Sequence, residues 1–244
     1  MVLPLYLALT AAEFSSDLPV SFPCAYMACH FSPYTEGISN IPETLPEGSI
    51  LILNDRMPCQ GHSADLAVHQ LNEAVSRLKS ESVLLDFQRP PEPESLAIAE
   101  RIIASLSCPV AATEWYAACS NCPIFLSTGP LHQPMDTYLA PWKGREIWLE
   151  AALCHEEVLI TEAGMTHRSV FPTEQLSDGF YDKDLRCCYQ SKIDNDSIRF
   201  TLFDTPESLE KKLEAAASLG VTRAVGLWQE LNPLRTTQKP LTLR

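Results

Sequence analysis

FDTPESLEKKLEAAASLGVTRAVGLWQEL, residues 203–231, contains a complete helix-to-strand unit. Thr205 can cap a helix whose first turn takes Pro206, where a missing backbone N–H has no helical partner to lose. Ser208 and Glu210 follow within the helix, and Gly220 past its end supplies a residue that accepts a left-handed backbone. The next segment, VTRAVGLWQEL, is short, apolar and rich in β-formers. A helix that turns straight into a buried strand is half of a repeating βα unit and predicts a parallel sheet with helices outside it.

The same rhythm runs through the rest of the chain. Apolar, β-rich runs occur at Val2–Leu9, Cys24–Cys29, Ser49–Leu53, Ser82–Phe87, Pro109–Thr113, Pro123–Leu126, Glu146–Leu153 and Thr222–Trp228. Eight such runs predict closure into a barrel rather than an open sheet. Ser63–Leu78 and Pro93–Leu106 carry apolar residues at helical spacing behind plausible caps. No glycine-rich phosphate loop follows any strand, so a dinucleotide-binding α/β fold and a nucleotide cofactor are not expected. The reading is one (β/α)8 TIM-like barrel over residues 1–244, with a small insertion or lid at about 154–203 before the last helix and strand.

With 31 acidic and 18 basic residues the formal net charge is −13, and the Lys and Arg residues are scattered. That balance disfavours nucleic acid and anionic membrane surfaces as partners. No run approaches the length of a membrane-spanning helix. The first residues, MVLPLYLALTAAEFSS, imitate a secretory signal but lack its basic start, so they read as a first buried strand in a cytoplasmic protein; the alternative is a secreted one. Nine cysteines in a chain this long do not make a disulfide scaffold. Cys119 and Cys122 have metal or redox spacing, but Cys187-Cys188 is too tight to complete a zinc site. His132, His155 and His167 show no ligand spacing, and neither metal nor other cofactor is expected.

In such a barrel the C-terminal strand ends build the functional face. They offer His30, Asn54, Asp55, Arg56, Asp86, Gln88, Arg89, Glu114, Trp115, Tyr116, Glu150, Trp228, Gln229 and Glu230. Trp and Tyr beside planar polar groups suit a sugar, whose apolar face packs on a ring while its hydroxyls take the hydrogen bonds.

Two stretches point to a family. DFQRP, Asp86 to Pro90, resembles the Asp-Trp-Glu-Tyr-Pro ending of the fourth barrel strand in glycoside hydrolase family 18, the chitinases and their relatives, whose motif is DxxDxDxE. Residues 203–231 resemble that family's last helix and eighth strand. The resemblance implies a barrel whose mouth binds an N-acetylated sugar or related glycan. It places Asp86 on the motif's last aspartate, Gln88 on the catalytic glutamate, Leu84 and Glu81 on the two earlier aspartates, and Trp228 on the tryptophan that floors the sugar site. The family's Met-x-Tyr-Asp at the sixth strand is replaced by Phe125-Leu126-Ser127-Thr128, which offers only hydroxyls. Enzymes of this type protonate the leaving oxygen with the glutamate while the substrate's acetamido oxygen acts as nucleophile. Glutamine has no such proton to give, so the expectation is a carbohydrate-binding barrel inactive by the family mechanism. Asp86, Gln88 and Arg89 are its expected polar contacts, Trp228 its floor, and Asn54, Asp55, Glu114, Tyr116 and Glu150 its walls.

Three rivals remain. Asp55, Asp86, Glu114 and Glu150 could form a relocated catalytic pair in an active glycosidase. His30, Asp55, His62 and Asp86 could bind a hydrolytic metal. The 154–203 segment could serve a protein-binding scaffold.

Overall fold

The computed structural model describes residues 3–15, 23–118, 120–170 and 178–231. In chain order the first elements are β1 (Leu5–Leu9), α1 (Ala11–Ser15), β2 (Ala25–Phe31), β3 (Ile38–Ser39), β4 (Ile50–Asn54), α2 (Ala64–Leu78), β5 (Ser82–Asp86) and α3 (Pro93–Ser105). Then come β6 (Val110–Thr113), α4 (Glu114–Ala117), β7 (Ile124–Leu126), α5 (Met135–Leu139) and β8 (Ile147–Glu150). A second sheet follows with β9 (His155–Thr161), β10 (Gly164–Ser169), β11 (Phe180–Asp182), β12 (Cys187–Asp194) and β13 (Ser197–Phe203), before α6 (Pro206–Ser218) and β14 (Val221–Leu227).

Eight parallel strands, in the order β1, β14, β8, β7, β6, β5, β4, β2, close on themselves through β1–β2 pairing. This is a (β/α)8 TIM-like barrel, and each of the eight apolar runs contributes one stave. The helices also begin as their sequences dictate. Ser63 accepts the Leu66 N–H at the start of α2. At α6 the Thr205 hydroxyl accepts the Ser208 N–H while Ser208 Oγ accepts the Thr205 N–H, two otherwise orphaned donors satisfied reciprocally. Gly220 ends that helix at φ +95°, in the left-handed region that favours glycine.

The outer ring is thinner than the ideal. Among the described residues, only α2, α3 and α6 exceed three turns. Between β2 and β4 the described chain makes β3, antiparallel on β2, where a crossover helix would lie. Prolines at 42 and 46 remove helical donors in that connection.

Strand alternation divides the core in two. Val83, Leu85, Leu51 and Leu53 face outward onto Leu71, Ile98 and Ile102 of the helices. Ala8, Ala25, Ile50, Ile52, Leu84, Ala111, Trp148 and Val225 fill the interior, with Trp148 wholly buried. Below this plug, Arg223 pairs with Glu81 at 3.1 Å and lies 4.7 Å from the Trp148 ring centroid. Tyr6 donates to Glu81 at 2.8 Å; burial, helped by that bond, pushes its phenol up to about 12. The barrel is therefore a packed solid whose floor is a charged cluster.

The second sheet, ordered β10-β9-β13-β12-β11, is antiparallel throughout and inserted between β8 and α6. Its two strands of chain pass through one point. Asp204 N–H donates to the Cys154 carbonyl, and Cys154 N–H donates back to Asp204 Oδ2. Lys212 of α6, 3% exposed, closes on both Asp204 oxygens at 2.8 and 2.7 Å. The segment at about 154–203, expected as a small insertion or lid, carries this sheet, whose half-exposed strands lack the apolar runs that mark strands in a sequence.

Candidate functional site

Alternation decides which strand-end residues enter the mouth. Leu84 and Trp148 point inward, so Asp86 and Glu150, two residues on, do so as well; Ile52 brings in Asn54, and Ala111 brings in Thr113. Above them lies a cavity of about 250 Å³ lined by Gln88, Glu114, Trp115, Phe125, Ser127, Tyr138 and Glu150, with Phe87, Thr113 and Leu126 completing it. Trp115 is half-exposed at its edge.

The carboxylates here do not behave alike. Burial pushes the Asp86 carboxyl above the ordinary range, the Gln88 amide that donates to its Oδ1 pulls it back, and the Asp55 charge raises it again. Burial also raises Glu150, and the charges of Asp86 and Glu230 act in the same direction. Glu114 is exposed on the first turn of α4. Tyr138, reached from α5, was not foreseen. Its phenol is raised by burial and by the Glu114 and Glu150 charges, against a 3.4 Å contact with Ser127 Oγ that lowers it. A phenol is thus brought to the same rim as the Ser127 hydroxyl, from α5 one loop away.

Several expected contacts lie elsewhere. Asp55 is buried, and its oxygens accept the backbone N–H groups of Gln88 and Arg89 at 3.0 and 2.8 Å, so it shapes the β5 loop rather than walling the cavity. Asn54 is committed to the Met27 carbonyl and the Arg56 N–H. Arg89 folds back to the Arg56 carbonyl. Tyr116 is 1% exposed, stacked edge-on to Phe87 at 5.1 Å, with its hydroxyl on Ser95. It belongs to the layer between strands and helices. Trp228 packs partly buried against the outer cluster of Leu7, Ala151, Leu209, Ala224 and Leu231, not over the mouth. Val225 faces inward, so the exposed inward position at this strand end falls to Leu227, one residue earlier. Glu230 accepts the Leu153 N–H at 2.7 Å.

The histidine-based metal arrangement does not assemble. His30 faces the Phe31 carbonyl and Asn40, while His62 faces the carbonyls of Cys59 and Ser32. Each ring is engaged at both nitrogens. Cys122 is a buried thiol, and Cys119 lies outside the described residues. Burial pushes the Cys187 thiol up to about 12, which keeps it protonated and a poor nucleophile.

By sequence, no family model and no curated protein matches this chain. By structure, it is similar over nearly its whole length to several solved barrels. A glycoside hydrolase family 18 N-acetylglucosaminidase from Paenibacillus barengoltzii aligns over 97% of this chain and 100% of its own, with 9% identity and a TM-score of 0.57. A chitinase from Chromobacterium violaceum aligns over 98% and 100%, at 8% identity and TM-score 0.54. The spore cortex-lytic enzyme SleL of Bacillus cereus aligns over 98% of this chain and 75% of its own, at 11% identity and TM-score 0.53. The common property is the barrel fold.

Proposed function

We propose that this chain is a family 18-like barrel that binds a carbohydrate in its mouth, an N-acetylated sugar or related glycan fragment, without cleaving it by the family mechanism. The observation that carries the proposal is Gln88. It stands two residues after the inward Asp86, donates to that carboxylate, and borders a cavity with an aromatic rim. An amide there can hold a hydroxyl or acetamido oxygen but has no acidic proton, and absent general acid catalysis costs about 10² to 10⁴ in rate. Trp115 and Phe125 offer ring faces, while Glu114, Ser127, Tyr138 and Glu150 offer hydrogen-bonding groups around them. A sugar needs both.

One observation favours a second reading, an active glycosidase with a relocated acid. Glu150 is a carboxyl raised by burial and by neighbouring negative charge, the tuning that a proton donor near neutral pH requires. Calorimetric titration with N-acetylglucosamine oligomers, run beside a hydrolysis assay, separates the two. Binding without turnover, weakened roughly tenfold in Trp115→Ala, supports the binder. Turnover that disappears in Glu150→Gln establishes the enzyme instead. Absence of both binding and turnover overturns both readings.

A further inference from the structure

Three side chains converge, one from a barrel loop and two from a hairpin of the inserted sheet. His132 lies in the loop after β7, Glu156 on β9 and His167 on β10. His132 and Glu156 belong to different sheets' surroundings, and the hairpin register brings in the third residue. Glu156 is opposite Ser169, which leaves His167 as its diagonal neighbour on the same face. Candidate donor atoms of all three lie within 4.8 Å of one another.

Glu156 is buried, and its two oxygens are used differently. Oε2 accepts the backbone N–H groups of Leu131 and His132 at 2.8 and 3.3 Å, which fixes the carboxylate plane. Oε1 faces both imidazoles, with His132 Nδ1 at 2.5 Å and His167 Nδ1 at 3.2 Å. The two rings are close but tilted, with centroids 4.1 Å apart and planes 35° from parallel.

We propose that His132, Glu156 and His167 bind a divalent first-row transition metal ion, with zinc as the representative ion. Two imidazole nitrogens and one carboxylate oxygen are a donor set for zinc, nickel or cobalt rather than for calcium or magnesium, which take oxygen ligands. Bonds of about 2.0–2.2 Å place neighbouring tetrahedral ligands roughly 3.3 Å apart. The His167 spacing already meets that distance, and the His132 ring needs to withdraw by less than about 1 Å. His167 is half-exposed, so a water can complete the coordination from solvent. The backbone donors on Oε2 supply the orienting contacts that ligating carboxylates commonly have. The ion would clip the inserted sheet to the barrel loop between β7 and α5. This site is independent of the sugar-binding proposal, since none of its residues lines the mouth cavity.

Cobalt(II) titration of the chelator-treated full chain tests the site, because the chain's cysteines are competing ligands and sulfur announces itself as an intense thiolate-to-cobalt charge-transfer band. The expected result is a weak visible d–d spectrum without that band, displaced by zinc. Affinity should fall roughly tenfold or more in His167→Ala and in Glu156→Gln, and remain unchanged in His69→Ala, whose exposed ring lies on α2. His167 is sufficiently exposed that its loss leaves the fold intact, which protects the test if the Glu156 variant misfolds. Absence of cobalt binding, a thiolate spectrum, or undiminished binding in His167→Ala overturns the proposal.

Discussion

Glu150 shows how one side chain reports both the site and its cost. Its carboxyl is raised in the folded protein, so the charged form is disfavoured there relative to the unfolded chain. The sign follows directly. Its favourable contribution is complete at pH below the ordinary carboxylate range and is lost as pH rises through the raised folded value. Glu150→Gln should therefore increase thermal stability at pH 8 and change it little at pH 4, a difference that paired melting curves at the two pH values will show. A variant that melts earlier at pH 8 would mean the carboxylate is held by favourable contacts instead. At this scale the sequence was half legible. Asp86, Gln88, Glu114 and Glu150 could be found because a strand end followed by a polar residue marks the rim. Trp228 and Tyr116 could not be placed, since a single residue of alternation, or the first turn of a helix, decides whether a ring faces the mouth or the packed layer outside it. Tyr138 and the His132 cluster left no local pattern, because their partners are joined only by the folded chain.

Among elements, β5 shows why a carboxylate cannot simply be placed at Leu84. Leu84 sits 1% exposed among Ile50, Ile52, Ala111 and Trp148. The surrounding strands have filled that space with hydrocarbon. An aspartate introduced there would lose its hydration without gaining an ion pair, and burying an unpaired polar group costs several kcal/mol. Leu84→Asp should lower stability by about 3 kcal/mol or more in urea unfolding, with no gain in hydrolysis. A stable Leu84→Asp protein would mean that the interior is wetter than its packing indicates. Strands and long helices were the most legible level of all, since their boundaries rest on apolar runs and caps such as Ser63 and Thr205. The short α1, α4 and α5 were invisible because one turn carries no period.

For the whole molecule, the inserted sheet hangs on the Asp204–Lys212 pair at its crossing point. Both groups are buried, and the carboxylate also accepts from Cys154 N–H and Ser208 Oγ. Removing one partner leaves an uncompensated charge, so Lys212→Met should destabilise the protein by about 3–5 kcal/mol, measured by denaturant midpoint. Asp204→Asn combined with Lys212→Met should recover much of that loss, because the orphaned charge is gone. Eight staves made the closed barrel legible in the sequence, whereas a sheet of half-exposed strands on top of it was not, for want of buried runs. Among the described residues no helix is long and apolar enough to cross a membrane.

The closure itself sets a schedule. Leu5 pairs with Ala224, so the first of the eight staves is completed by the last. During synthesis β1 can find β2 early, but its other edge stays without a neighbour until β14 has left the ribosome. A nascent protein halted anywhere before β14 is an open sheet with two unsatisfied edges, exposed to whatever strand arrives first.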